Sequence, residues 1–372
     1  MTVIANGRQL PVGGTSNQVT STSANVGPNA LLASGSYPLP ASASSGPLTL
    51  APLPVGFSFW RINNSPGSGQ FTLPNLWASG PTTPYVFSNN PANLGGITSG
   101  ATTLDGYPVV SGTYIFQFMD LSLGNLLLLA GGPPVMFRGC RLRAAASSPG
   151  FFNSETGNYN QPFYSHYCDF GGAGKTSECD IALQVTQTGG QRLLRNYISW
   201  VGSGIIPSAP SVPCDIIENL IENVTLYNAG LHLNGIKMQG GDTNALILRN
   251  CVSFDRFDAL GNEITQTDCI GLIPTFGNFP GTGVNSDGST GYTIAGNLVG
   301  GAGYSMYLGS SGGGSTVFNM TLAGNEWTCS AFPTAGANGP TTFAPPSGWG
   351  AGGNSQANNL YIDGPSRGMS TV

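Results

Sequence analysis

Four short runs place an acidic or amide side chain just before an alternating apolar stretch: CDIALQV at 179–185, CDIIENL at 214–220, LNGIKMQGGD at 233–242 and DCIGLIP at 268–274. Such stretches read as strands, so Asp180, Asp215, Asn234 and Asp268 are expected to line one edge of a sheet, a few repeats apart. Carboxylates held side by side can divide acid and base roles when their surroundings separate their pKa values. Asn234 interrupts the series, because an amide neither gives nor takes a proton near neutral pH. Asp and Asn before a strand also cap backbone amides, and that turn role is the preferred reading for these residues. The two histidines, His166 and His232, lie in no recognisable triad motif and are read as packed or turn residues. Asp242, Asp255 and Asp258 fall in loops whose spacing matches neither an EF-hand nor a nonapeptide calcium repeat. The seven cysteines, at 140, 168, 179, 214, 251, 269 and 329, contain no CxxC pair and are read as free buried thiols. Neither a metal nor a cofactor is expected.

The elements that must carry these residues follow from composition. Of 372 residues only 8% are charged, while 56 are Gly and 27 are Pro. Long amphipathic helices need charged outer faces and few helix breakers, so bundles and coiled coils are excluded. A hydrophobic content of 40% with 10% aromatics excludes a disordered chain. What remains is an all-β protein with turns of Gly, Asn, Ser and Thr. With 12 Lys and Arg and a formal net charge of −5, the chain has no cationic surface for a phosphate backbone, and no nucleic-acid partner is expected. The start, MTVIANGRQLPVGGTSN, lacks a basic cluster followed by an apolar core, and no later stretch is long enough for a spanning helix. Synthesis without a signal peptide, and without membrane insertion, is the expectation.

The segments FRGCRL, SHYCDF, LLRNYISW, LIENVTLY, LILRNCVSF, TIAGNLVG and TLAGNEW align on one central residue each: Cys140, Cys168, Asn196, Asn223, Asn250, Asn297 and Asn325. Their spacings are 28, 28, 27, 27, 47 and 28 residues, and the 47 reads as a double step with an intermediate repeat around ITQTDCIGLIPTFGNF. A period of 27–28 residues with strand-length apolar runs gives one turn of a parallel β-solenoid per repeat. Coils stack about 4.8 Å apart, so a recurring Asn at a turn can donate to and accept from its copies above and below. Cys140 and Cys168 are small enough to fill the same slot at one end. Arg192, Arg195 and Arg249 fall beside this ladder, where they can meet carbonyls or carboxylates such as Glu222.

This ladder resembles the right-handed parallel β-helix of pectate-lyase-like proteins, over roughly residues 125–330; the handedness comes from that resemblance and from the parallel-crossover rule. The uncharged, Ser/Gly/Pro-rich N-terminal text is similar in layout to a bacteriophage minor tail protein. The resemblance implies a virion component at the tail tip that presents a β-helix to the host surface, with partners in other tail proteins and in a host glycan or receptor, and a homotrimeric state. In β-helix enzymes, carboxylates on adjacent coils flank a sugar. The alternative is therefore a tailspike depolymerase using Asp180, Asp215 or Asp268, and a cell-surface adhesin is a third reading. HLNGIKMQ, with His232 and Gln239, is similar to a His-x-Asp-Gly-x-x-Gln segment of such proteins but carries Asn234 in place of the Asp and its Gln one position later. The loop SSPGFFNSETGNYNQPFYSHY contains Phe151, Phe152, Tyr159, Tyr164 and Tyr167, a candidate sugar or receptor contact. The expected organisation is an extended arm at 1–54, a small β region at 55–125, the β-helix at 126–330 and a C-terminal cap or trimer contact at 331–372.

Overall fold

The computed structural model of the chain describes in full residues 107–116, 134–138, 161–166, 168–172, 179–185, 190–207, 214–224, 233–238, 245–258, 261–272, 292–308, 320–342 and 354–369, and elsewhere little more than the backbone of short strands. Among the described residues every regular element is a strand. Nine strands form one parallel sheet: Tyr114–Gln117, Val135–Arg138, Phe163–His166, Gln191–Leu194, Cys214–Ile217, Leu246–Leu248, Thr293–Ala295, Thr321–Ala323 and Ser355–Ala357. A larger sheet of eighteen strands contains two further parallel columns. The second column includes Asp169–Gly172, the first part of Tyr197–Ser208, Leu220–Val224, Cys251–Ser253, Leu298–Gly300, Glu326–Trp327 and Leu360–Tyr361. The third includes Cys179–Thr186, the second part of Tyr197–Ser208, Asn234–Met238, Asp268–Leu272, Tyr304–Leu308 and Gly339–Thr342. The chain passes through the three columns in the same order each time, and each full circuit is one rung.

Register explains why these runs are strands buried on their inner face. In the first column Leu193, Ile216, Ile247, Ile294 and Leu322 are paired in one line, all fully buried. The second column stacks Phe170, Ile198, Ile221, Val252, Val299 and Trp327, and the third Leu183, Ile205, Ile236, Ile270 and Met306. These three lines meet in one hydrophobic core. Each such side chain contributes about 1.5–3 kcal/mol on burial, and a parallel in-register stack repeats the gain at every rung.

The bend between the first and second columns repeats a two-residue device. A left-handed residue comes first: Arg195, Glu218, Arg249, Gly296, Gly324 and Asn358, with φ between 52° and 65°. An Asn follows each: Asn196, Asn219, Asn250, Asn297, Asn325 and Asn359. The left-handed residue turns the chain within one step, a conformation open to Gly and Asn and strained for Arg and Glu. The turn leaves amides and carbonyls that cannot pair within their own rung, and the Asn satisfies them.

Two sequence expectations are corrected here. Asn223 is not in the ladder; Asn219 holds that place, and Asn223, with φ 53°, sits opposite Trp200, φ 58°, at the next bend. The interval from Asn250 to Asn297 is a single rung, since Leu246 pairs directly with Thr293 and the Asn250 backbone N–H donates to Asn297 Oδ1 at 2.8 Å. Part of its extra length is an excursion at 254–267, closed by a Phe257–Glu263 bridge and by Asp258, which accepts from the backbone and side-chain nitrogens of Asn262 at 2.7 and 3.1 Å. Parallel pairing also continues beyond 330, through Gly339–Thr342, Ser355–Ala357 and Leu360–Tyr361.

Candidate functional site

The polar side chains that recur in the sequence converge on the first bend. Each ladder Asn accepts at Oδ1 from the backbone N–H and the side-chain N–H of the Asn one rung before it. Its own Nδ2 also donates to a backbone carbonyl of that earlier rung. For Asn219 the acceptor contacts are Asn196 N and Nδ2, both at 2.9 Å, and the donor contacts are Leu193 O at 2.9 Å and Asn250 Oδ1 at 3.0 Å. The same pattern runs through Asn250, Asn297, Asn325 and Asn359, all at most 1% exposed. At the other end Asn196 Oδ1 accepts from Ser165 Oγ at 2.8 Å and from the Cys168 backbone N–H at 2.9 Å, so Cys168 ends the described ladder. Cys140 lies outside the described residues.

Charged residues occupy the left-handed positions beside three of these Asn. Arg195 Nε donates to Glu218 Oε2 at 2.6 Å, and Arg249 Nη2 lies 2.5 Å from Glu218 Oε1. Glu218 and Arg249 are almost wholly buried and Arg195 nearly so. Burial pushes the Glu218 carboxyl up, while Arg249 and Arg195 pull it down. The carboxylate partner of these arginines is thus Glu218 and not Glu222, which instead accepts from Tyr197 Oη at 2.6 Å.

The three candidate carboxylates do not meet. Asp215 belongs to the first column, paired in register with Arg192 and Leu246. Its Oδ2 is 3.5 Å from Arg192 Nε; burial raises its carboxyl and Arg192 opposes the rise. Asp180 lies in the third column, three strands before Asp268 and one residue out of register with it. At about 4.8 Å per strand these two are about 14 Å apart, beyond the roughly 5–9.5 Å over which two carboxylates act on one glycosidic bond. The reason is topological: CDIIENL precedes the ladder bend, whereas CDIALQV and DCIGLIP follow the second bend, so similar text sits on different faces.

The aromatic candidates divide likewise. Tyr164 is buried, and Arg192 Cζ lies 5.3 Å from its ring centroid and 4.5 Å from that of Tyr107. It is part of a packed cluster and offers no open platform for a sugar. Phe152 lies in the strand Phe152–Asn153, whose side chains are not among the described groups, and Phe151, Tyr159 and Tyr167 lie outside the described residues, as do His232, Gln239 and Asp242. Among the described residues no three His, Cys, Asp or Glu side chains come together as a metal site. The described cysteines are free and, apart from Cys329, buried; burial pushes the Cys251 and Cys269 thiols up, which keeps them unreactive.

Asp268 is the least exposed of the three acid candidates. It pairs in register with Asn234, which donates from Nδ2 to Ser203 Oγ at 3.5 Å, and the side chain folds over Gly271, where an added Cβ would come within 2.9 Å of both carboxylate oxygens. Gly271 is in turn paired with Lys237. Asp268 is 4% exposed, and its Oδ1 has no hydrogen-bond partner. Burial pushes its carboxyl up to about 7, with Lys237 opposing, and burial pushes the Lys237 amine down, with Asp268 opposing. An unfolded Asp titrates near about 4, so between pH 4 and 7 the folded chain holds a proton that the unfolded chain has released. Stability therefore falls as pH rises through that window. Asp268→Asn is expected to remove this loss, flattening the pH dependence and stabilising the chain at pH 7.5 by roughly 2–4 kcal/mol. Denaturant midpoints of both proteins at pH 4.5 and 7.5 check it; an unchanged slope would show that Asp268 stays ionised in the fold.

No protein-family model matches the chain, and neither a curated protein nor a solved structure does.

Proposed function

We propose that the chain is a right-handed parallel β-helix acting as a structural rod, a minor tail component at a phage tail tip that presents its outer surface to a host envelope. The observation that carries the non-catalytic part is the use made of the polar groups: Asn196, Asn219, Asn250, Asn297, Asn325 and Asn359 tie rung to rung, Asp215 is paired with Arg192, and Asp180 and Asp268 lie on separate rungs. Right-handedness is supported by the strong preference of parallel crossovers for that hand. A stack whose rungs each bury their core against neighbours is stiff along its length, which suits transmission of load and display of a surface. The tail-tip setting is supported by the near absence of charge before residue 130, where Arg8, Arg61, Asp105 and Asp120 stand in Ser/Thr/Gly/Pro-rich text suited to lying along other tail proteins. Trimerisation and a host glycan or receptor complete the reading.

The test is to incubate the purified chain with a panel of bacterial envelope polysaccharides, measuring retention and released reducing ends together. The expected result is retention on one or more polysaccharides with no release. Release that disappears in Asp180→Asn or Asp268→Asn would favour the depolymerase instead.

A further inference from the structure

The antiparallel hairpin formed by Thr102–Leu104 and Tyr107–Val109 stands apart from the parallel stack. Its main-chain pairing is to itself, with Thr102 opposite Val109 and Leu104 opposite Tyr107. It lies against the outer face of the nine-stranded sheet. Alternation shows this: Leu193, Ile216, Ile247 and Ile294 belong to the inner core, and their immediate successors Leu194, Ile217, Leu248 and Ala295 form a separate cluster with Tyr107. Val109 packs in the same way on Met136 and Tyr164.

Two polar side chains of the stack meet the hairpin: the His166 ring lies edge-on to that of Tyr107 at 6.1 Å, and Arg192 makes the larger set of contacts. Arg192 lies between the Tyr107 and Tyr164 rings, donates from Nη1 to Pro108 O at 2.9 Å, and faces Asp215 at 3.5 Å. The closed arrangement also strands a polar group. Tyr107 Oη is buried without a hydrogen-bond partner, close to the charges of Asp215, Arg192, Glu218 and Arg249. A buried hydroxyl without a partner loses what water would give it, so lifting the hairpin recovers that hydration. A two-stranded hairpin is marginal by itself, and this one depends on side-chain contacts for its place.

We propose that the Thr102–Val109 hairpin is a releasable strap, which lifts from the outer face of the nine-stranded sheet as a unit while the rungs beneath stay folded, with Arg192 as its latch. The chain runs from the strap almost directly into Tyr114–Gln117, the first strand of that sheet. An open strap uncovers the apolar line Leu194, Ile217, Leu248.

Hydrogen exchange followed by mass spectrometry on the full chain tests this. Amides of 102–109 are expected to exchange through a local opening, well before those of Val135–Arg138 and Gln191–Leu194. Arg192→Ala should speed strap exchange by about tenfold, well beyond any change in Gln191–Leu194 and Cys214–Ile217, where it also takes the counter-charge from Asp215. Tyr107→Phe keeps the ring and removes the stranded hydroxyl, so it should slow strap exchange. The inference is overturned if strap and rung amides exchange together in the wild-type chain, or if Tyr107→Phe leaves strap exchange unchanged or speeds it.

Discussion

Glu218→Gln is expected to lower the unfolding free energy by about 3–5 kcal/mol, because it leaves Arg249 buried without its counter-charge. The three left-handed positions Arg195, Glu218 and Arg249 follow one another on successive rungs, so their charges alternate along the stack. Glu218 is the shared partner, at 2.6 Å from Arg195 Nε and 2.5 Å from Arg249 Nη2. A neutral amide there would hold two desolvated guanidiniums about 10 Å apart with no negative charge between them. Arg195→Gln should be milder, about 1–2 kcal/mol, since Arg249 still neutralises the carboxylate and Arg195 is the more exposed of the two arginines. The trio as a whole need add little net stability, as burying the three charges is itself unfavourable; breaking it is what is costly. Equilibrium denaturation of the two variants at pH 7 checks the order, and equal small effects would mean that water reaches the cluster.

Much of the fold was legible in the sequence because its cause is local. The runs LLRN, LILRN, YTIAGN and TLAGN each end an aliphatic strand with a left-handed residue and an Asn, and all four supply ladder positions. Rung length was not legible. Successive ladder Asn from 196 to 359 are separated by 23, 31, 47, 28 and 34 residues, so the number of residues per rung varies while the bend stays constant. An even period therefore favours Asn223, 27 residues after Asn196, over Asn219. The text IIENLIENV invites that error, since Glu-Asn occurs twice within it and both copies lie at bends, with positive φ at Glu218 and at Asn223. Asn359 escapes an even period for the same reason, its interval of 34 residues falling outside it.

The candidate site was less legible. Side-chain identity marked Asp180, Asp215 and Asp268 as equivalents, but the face each occupies depends on which bend the run adjoins. Arg192 lies within the strand Gln191–Leu194, and nothing near it in sequence points to Tyr107 or Pro108, more than eighty residues away. The hairpin itself had a signal, the Asp105-Gly106 pair between TTL and YPV, since Asp-Gly flanked by strand-like text marks a two-residue hairpin loop.

One continuous Asn ladder ties the rungs together and passes through Asn219. Comparing the thermal and denaturant stability of Asn219→Leu and Asn223→Leu tests it most directly. Leucine at 219 is close to isosteric and excludes water, so the Asn196 backbone N–H and Leu193 O lose their partners inside the stack. At about 1–3 kcal/mol for each stranded group, the expected loss is about 3–5 kcal/mol. Asn223 is half-buried, and its side chain makes a long 3.5 Å contact to Glu222 Oε1. Its replacement should cost only the strain of a leucine at positive φ, about 1 kcal/mol. A large loss for Asn219→Leu with a small one for Asn223→Leu is the result predicted. Equal losses, or the reverse order, would contradict the ladder and with it the stacking of the rungs.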